Sequence, residues 1–181
     1  MPRPQITWAD AQQMPDDGNR YEAIEGDLYM TPAPTLRHQD VVFRLSLRLH
    51  SLLVQPGHGR MWLAPVGVEF PATGEGVQPD IVFVSRERRG IIAETTLMGP
   101  PDLAVEVLSP STGTRDRGVK LRLYARQGIR QYWIVDPVGD AVEVRRFDEG
   151  AGFERFTDRL PVKFGDRDYG EIDLATVFER D

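Results

Sequence analysis

The chain has 181 residues, a net charge of −6 and no cysteine, which excludes disulfides, thiolate metal sites and cysteine nucleophiles. Its 40% hydrophobic and 28% charged residues make an ordinary globular composition, enough for one packed domain, and no apolar run approaches the ~18 residues of a membrane helix. The acidic balance argues against a general nucleic-acid binder, which needs a basic surface, and "MPRPQITWAD" lacks a signal-peptide core, so the expectation is a cytoplasmic protein.

Thr7 and Asp10 cap a short helix, "WADAQQM". "RYEAIEGDLYM" reads as two short strands joined by a tight Glu25-Gly26 turn. After "TPAPT", residues His38, Val41, Val42, Leu45, Leu49, Leu52 and Leu53 recur at helical spacing. They predict an amphipathic helix of about four turns that stops before Pro56-Gly57. Strand patterns follow in "MWLAPVGVEF", "QPDIVFV" and "DLAVEVL", then a helix that begins in "STGTRD" and closes at Gly128. "QYWIVDP" is a near-continuous apolar run, the pattern of a strand buried on both faces. "AVEVRRF" and "FERFT" around "DEGAG" predict a hairpin, and "LATVFER" a last short helix.

The core order is therefore helix, three strands, helix, strand, with a peripheral hairpin at each end. That is an α/β arrangement, an α+β mixed sheet with helical cover. The expected organisation is one domain: helix and hairpin over 1–35, core over 36–137, and hairpin with short helix over 138–181.

Glu106 stands in the middle of an apolar strand, where a charge is unfavourable unless it is paired or holds a metal. Alternation puts Asp102, Ala104, Glu106 and Leu108 on one face, with Leu103, Val105 and Val107 on the other. Asp80 leads the preceding apolar run. Two carboxylates on neighbouring strands can share a hard divalent cation, although strand-end aspartates also cap loops. Of 22 basic residues only Lys120 and Lys163 are lysines. Lys120 either supplies a compact ammonium to a site or pairs on the surface with Asp116. From Arg115 to Arg130, Arg115, Arg117, Lys120, Arg122, Arg126 and Arg130 face only Asp116 in charge; this is a phosphate-tracking helix or a solvated face. Ser109 and Ser111 lack a His/Asp constellation and read as helix caps rather than as a serine hydrolase.

"QPD" at 78–80, "VEVLSPST" at 105–112, "DRGVKLRLYARQGI" at 116–129 and "YWIVDP" at 132–137 together resemble the Uma-type family of restriction endonucleases, a branch of the PD-(D/E)xK nuclease superfamily. "YEAIEGDLYM" and His38 extend the likeness over most of residues 20–137. The resemblance implies a restriction-endonuclease-like core and Mg²⁺- or Mn²⁺-dependent hydrolysis of DNA phosphodiester bonds. It makes Asp80 and Glu106 the metal-holding acids. The superfamily's usual lysine, two residues past the second acid, falls on the apolar Leu108, and the Uma-type pattern implies that Lys120 reaches the site instead.

Secondary candidates are Glu22 from the first hairpin, Glu69 as a further metal ligand from a strand next to that of Asp80, His38 toward a phosphate, and Tyr124 one turn beyond Lys120. Arg115, Arg117, Arg122 and Arg126 would meet the DNA backbone. The family likeness implies a bacterial protein, and cleaving both strands would call for a homodimer. The alternative is a catalytically silent module that keeps the fold for interaction or DNA binding, which Leu108 and the acidic charge favour.

Overall fold

The structure, a computed structural model, describes residues 5–110, 112–150 and 152–180. Residues 1–4 of "MPRPQITWAD" lie outside that range, as do Ser111 and Ala151 of the "DEGAG" turn. A capping box between Thr7 and Asp10 starts helix α1, Trp8–Ala11. Strands β1, Arg20–Ile24, and β2, Asp27–Thr31, form the expected hairpin. Its two turn residues both take positive φ (Glu25 53°, Gly26 78°), the twist that suits a two-residue hairpin loop. Thr35, just past Pro34, caps helix α2, Leu36–Leu49, which widens into a π turn over His50–Val54 before Pro56.

Strands β3 (Gly59–Leu63), β4 (Gly67–Phe70), β5 (Glu75–Val77), β6 (Ile81–Ser85), β7 (Thr96–Met98) and β8 (Leu103–Val107) follow. The second long helix is composite: α3, Gly113–Arg115, a π turn over Asp116–Lys120, and α4, Leu121–Gln127. Gly128 ends it in the left-handed region, the C-terminal stop anticipated there. Then come β9 (Gln131–Asp136), β10 (Ala141–Arg146), β11 (Phe153–Phe156), β12 (Arg159–Phe164), β13 (Arg167–Asp173) and α5 (Ala175–Phe178).

A central six-stranded sheet has the order β11-β10-β9-β8-β6-β3. It contains the expected core sequence: α2, then β3, β6 and β8, then the composite helix and β9. The β8–β9 pair is parallel and its neighbours are antiparallel, so the sheet is mixed. One face packs on α2 (Val41, Leu45, Leu49), and on Leu160, Val162 and Ile172 of the β12–β13 hairpin. The other face packs on Leu123 and Tyr124 of α4 and on a second, five-stranded sheet, order β2-β1-β5-β4-β7. Each fully buried Val or Leu in these layers contributes about 1.5–3 kcal/mol.

Two expectations need correction. "MWLAPVGVEF" is not one strand: β3 lies in the central sheet and β4 in the second. Pro65 between them has no N–H to extend a ladder, and the chain changes sheets there. The β12–β13 hairpin was not anticipated, although Leu160, Val162 and Phe164 alternate inward before a Gly165-Asp166 turn.

Candidate functional site

Asp80 and Glu106 face each other across two strands of the central sheet. The β6–β8 register pairs Ile81 with Val105 and Val82 with Ala104, and one step beyond the ladder sets Asp80 opposite Glu106. Directly opposed residues stand about 5 Å apart at Cβ. Both side chains belong to the face toward the composite helix and the second sheet, because their strand neighbours Val82 and Ala104 pack there. Both line one cavity of about 260 Å³, together with Arg20, His38, Thr112 and Arg115.

Each acid is held by a separate set of donors. Arg20 Nη1 donates to Asp80 Oδ1 at 2.9 Å, the His38 ring meets Oδ2 at 3.1 Å, and the Val107 backbone N–H donates to Oδ2 at 2.8 Å. Lys120 Nζ and the Tyr124 hydroxyl donate to Glu106 Oε1 at 2.7 and 2.9 Å. Glu106 Oε2 has no hydrogen-bond partner among the described residues. Spacing of four brings Asp116, Lys120 and Tyr124 to one side of the composite helix, and its π turn spans the first two.

Lys120 Nζ also meets Glu22 Oε1 at 2.9 Å and lies 4.0 Å from Asp116 Oδ1. Lys120 is only 2% exposed, so the surface pair with Asp116 is replaced by a buried cluster. Glu22 accepts the Gln78 backbone N–H at 2.8 Å, while its Oε2 and Asp116 Oδ1 are buried without partners.

The cluster is short of positive charge. Four acids, Asp80, Glu106, Glu22 and Asp116, are all buried, and among the described residues the permanent cations bonded to them are Arg20 and Lys120. Burial pushes the Glu106 carboxyl up to about 8; the Lys120 ammonium pulls it down, and Asp116, Asp80 and Glu22 add to the rise. Burial likewise raises Asp116, against the pull of Lys120. At Asp80, burial acts upward but is outweighed by the His38 hydrogen bond, the Arg20 charge and the Val107 N–H, which leave it below the usual carboxylate range. Burial disfavours the Lys120 ammonium, yet Glu106, Glu22 and Asp116 outweigh it, and its pKa is raised.

A divalent cation fits this donor set in charge and in type. With all four acids ionised against Arg20 and Lys120, two negative charges would be left over, which one such ion offsets, and oxygen donors suit Mg²⁺ or Mn²⁺. No group of three or more His, Asp or Glu side chains among the described residues could hold an ion by itself. Mg²⁺ is commonly bound through one or two carboxylates plus water and substrate phosphates, for which Asp80 and Glu106 suffice.

The remaining candidates separate cleanly. Glu22, His38 and Tyr124 join the cluster. Glu69 does not: β4 belongs to the second sheet, and its neighbours Val68 and Phe70 take the core-facing positions. Leu108 packs at the edge of that core. Arg117 pairs with Glu143, Arg122 with Glu25, and Arg126 with Glu25 and Glu75. That part of the basic segment is a surface of internal ion pairs, because the first hairpin, β5 and β10 bring acids beside it. Arg115 differs, donating to the Met30 carbonyl and the Thr31 hydroxyl beside the cavity. Ser109 Oγ donates to Thr112 Oγ1 in a turn at the helix start.

Arg20 escaped the sequence reading. Its signal was alternation: it stands two residues before Glu22 on β1, hence on the same face.

The profile of the Uma2 family, described as "Putative restriction endonuclease", matches residues 8–164. The "Uncharacterized protein slr1290" of Synechocystis sp. is 27% identical over 136 residues, which cover 74% of this chain and 66% of that protein. The chain thus spans just under two thirds of that relative's length. A crystal structure from Anabaena variabilis, described as "a putative nuclease belonging to DUF820", aligns with a TM-score of 0.77 at 20% identity, covering 96% of this chain and 97% of that one. This likeness shows the fold: a mixed α+β arrangement with a restriction-endonuclease-like core. No described helix is long and apolar enough to cross a membrane.

Proposed function

The chain belongs to the Uma2 family of nuclease-like proteins, and from that premise we infer that its buried acid cluster carries out metal-dependent hydrolysis of phosphodiester bonds in DNA. The observation that carries this reading is the opposition of Asp80 and Glu106 across β6 and β8, lining one cavity, with a buried Lys120 bonded to Glu106.

Asp80 and Glu106 would hold Mg²⁺ or Mn²⁺, which supplies polarisation of a phosphoryl oxygen and a bound water of lowered pKa. Arg20 and His38 keep Asp80 ionised and oriented. Tyr124 and Lys120 both take Glu106 Oε1, which turns the carboxylate and leaves Oε2 for a ligand. Lys120 keeps its proton, so it is a fixed positive charge rather than a base. Its task is to stabilise negative charge that develops on the phosphoryl group. Arg115, whose hydrogen-bond partners are neutral, would offer its charge to a backbone phosphate at the cavity.

A second reading, the silent nuclease-fold module, is favoured by one observation: both oxygens of Asp80 are already occupied by donors of the chain itself. One experiment separates the two. Labelled DNA is incubated with the wild type, Asp80→Ala and Glu106→Gln in Mn²⁺ and in EDTA, and Mn²⁺ binding is titrated by calorimetry. Wild-type cleavage that needs Mn²⁺ and disappears in both variants supports hydrolysis at this site. A wild type that neither binds Mn²⁺ nor cuts is the silent module.

A further inference from the structure

A second cleft, of about 340 Å³, also reaches Asp80. It shares Arg20, His38 and Asp80 with the acid-lined cavity, so the two are contiguous. Pro32 and Pro34 also line both, and the part that belongs to this cleft alone is mainly apolar: Val42, Phe43, Leu63 and Pro65. Phe43 is 61% exposed and Leu63 41% exposed. Single exposed apolar residues need no explanation, but apolar side chains gathered in a concave wall beside a few convergent polar groups mark a ligand site.

Resting on the hydrolase reading above, we propose that this cleft receives one unpaired nucleobase next to the phosphate held at Asp80 and Glu106, and that the substrate is therefore a single strand or a locally opened duplex. Three features argue for that occupant. The cleft adjoins the acid-lined cavity through Asp80, where a base one nucleotide from the reacting phosphate must lie. An aromatic face accepts any base, but only a base released from its stack has a face to offer. The protein carries a net charge of −6, and Arg117, Arg122 and Arg126 are tied up with acids. Backbone electrostatics, the main source of affinity for duplex DNA, is therefore weak here. Apolar and stacking contact with an exposed base supplies the difference.

The test is fluorescence anisotropy of a labelled oligodeoxythymidylate, alone and annealed to its complement, in millimolar Ca²⁺. That cation takes the same oxygen ligands. The wild type is expected to bind the single strand at least about tenfold more tightly than the duplex. Phe43→Ala weakens single-strand binding by about tenfold or more, the scale of one base–aromatic stack, and Phe43→Trp retains it. Leu47→Ala, at an exposed position of α2 outside the cleft, leaves binding unchanged. Equal affinity for single strand and duplex overturns the proposal. So does indifference to Phe43→Ala, or an equal loss with Leu47→Ala, which would make α2 a generic apolar face. A protein that self-associates through Phe43 without any effect of Phe43→Ala on oligonucleotide binding also overturns it, in favour of a second copy. The hydrolase reading fails by a different result: no Mn²⁺-dependent cleavage of either form. The anisotropy needs no turnover and still reads the cleft.

Discussion

Lys120 Nζ lies 2.7 Å from Glu106 Oε1, with both side chains closed off from solvent. A buried pair of this kind is weak evidence for stability, since apolar residues of similar volume serve as well or better, whereas removing one partner leaves the other uncompensated. The pair therefore points to function, and the two partners should respond differently to mutation.

Glu106→Gln replaces a carboxyl whose ionised form burial disfavours by a neutral amide of nearly the same volume. The Gln carbonyl still accepts from Tyr124 and Lys120. In EDTA at neutral pH the variant should melt at the wild-type temperature or above it. In millimolar Mn²⁺ the wild type should gain stability by mass action and the variant should not. A variant melting well below wild type in EDTA would make Glu106 a structural residue.

Lys120→Met is the opposite case. It strips the shared cation from Glu106, Glu22 and Asp116. The expected loss is about 3–5 kcal/mol of folding stability by urea titration at neutral pH. Adding Glu106→Gln to Lys120→Met should recover part of it, because one uncompensated acid is gone. A double variant no more stable than Lys120→Met alone would sever the energetic link between the two residues.

The pH dependence follows from the same carboxyl. Its pKa of about 8 in the folded chain stands above the ~4.3 of an unfolded Glu. The folded state therefore binds the extra proton, and this contribution to stability is complete below pH ~4.3 and lost as pH rises through about 8. Wild type should lose stability relative to Glu106→Gln across that window. Because a cation must displace the proton, Mn²⁺ affinity should rise with pH and level off above about 8. A Mn²⁺ affinity flat between pH 6 and 9 would mean that Glu106 is not a ligand.

How far the sequence revealed this site depended on the range of each contact. Asp80 and Glu106 were legible because strand alternation and neighbouring strands need only local pattern. Lys120 came from the family resemblance, because its spacing of four from Asp116 reads equally as a surface pair, and Tyr124 came from lying one turn beyond it. Arg20 was not legible, since its partner Asp80 is 60 residues away and the contact exists only because the first hairpin joins a second sheet. That sheet was itself hidden. Glu75–Val77 and Thr96–Met98 are three-residue strands, too short to show a period, and β4 reads as a continuation of β3. The same hidden packing explains the ion pairs along the basic segment: Glu25 and Glu75, which pair with Arg122 and Arg126, come from that sheet and its hairpin.

The basic segment yields a last prediction. Each phosphate neutralised by a protein cation releases counterions, so the slope of log affinity against log salt counts such contacts, at about 0.9 per phosphate on duplex DNA and about 0.7 on single strands. Arg122 and Arg126 already spend their charge on Glu25 and Glu75. Arg122→Gln and Arg126→Gln should leave the slope for an oligonucleotide unchanged. Arg115 is the exception. Its donors go to the Met30 carbonyl and the Thr31 hydroxyl, and its Nε is buried without a partner. It lines the acid cavity, so its charge remains available to a phosphate there. Arg115→Gln should reduce the slope by one phosphate's worth, about 0.7 on a single strand, measured by anisotropy over a salt series in Ca²⁺. If the slope falls instead with Arg122→Gln and Arg126→Gln and not with Arg115→Gln, the ion pairs with the first hairpin open on binding. DNA would then run along the helix surface rather than through the cavity.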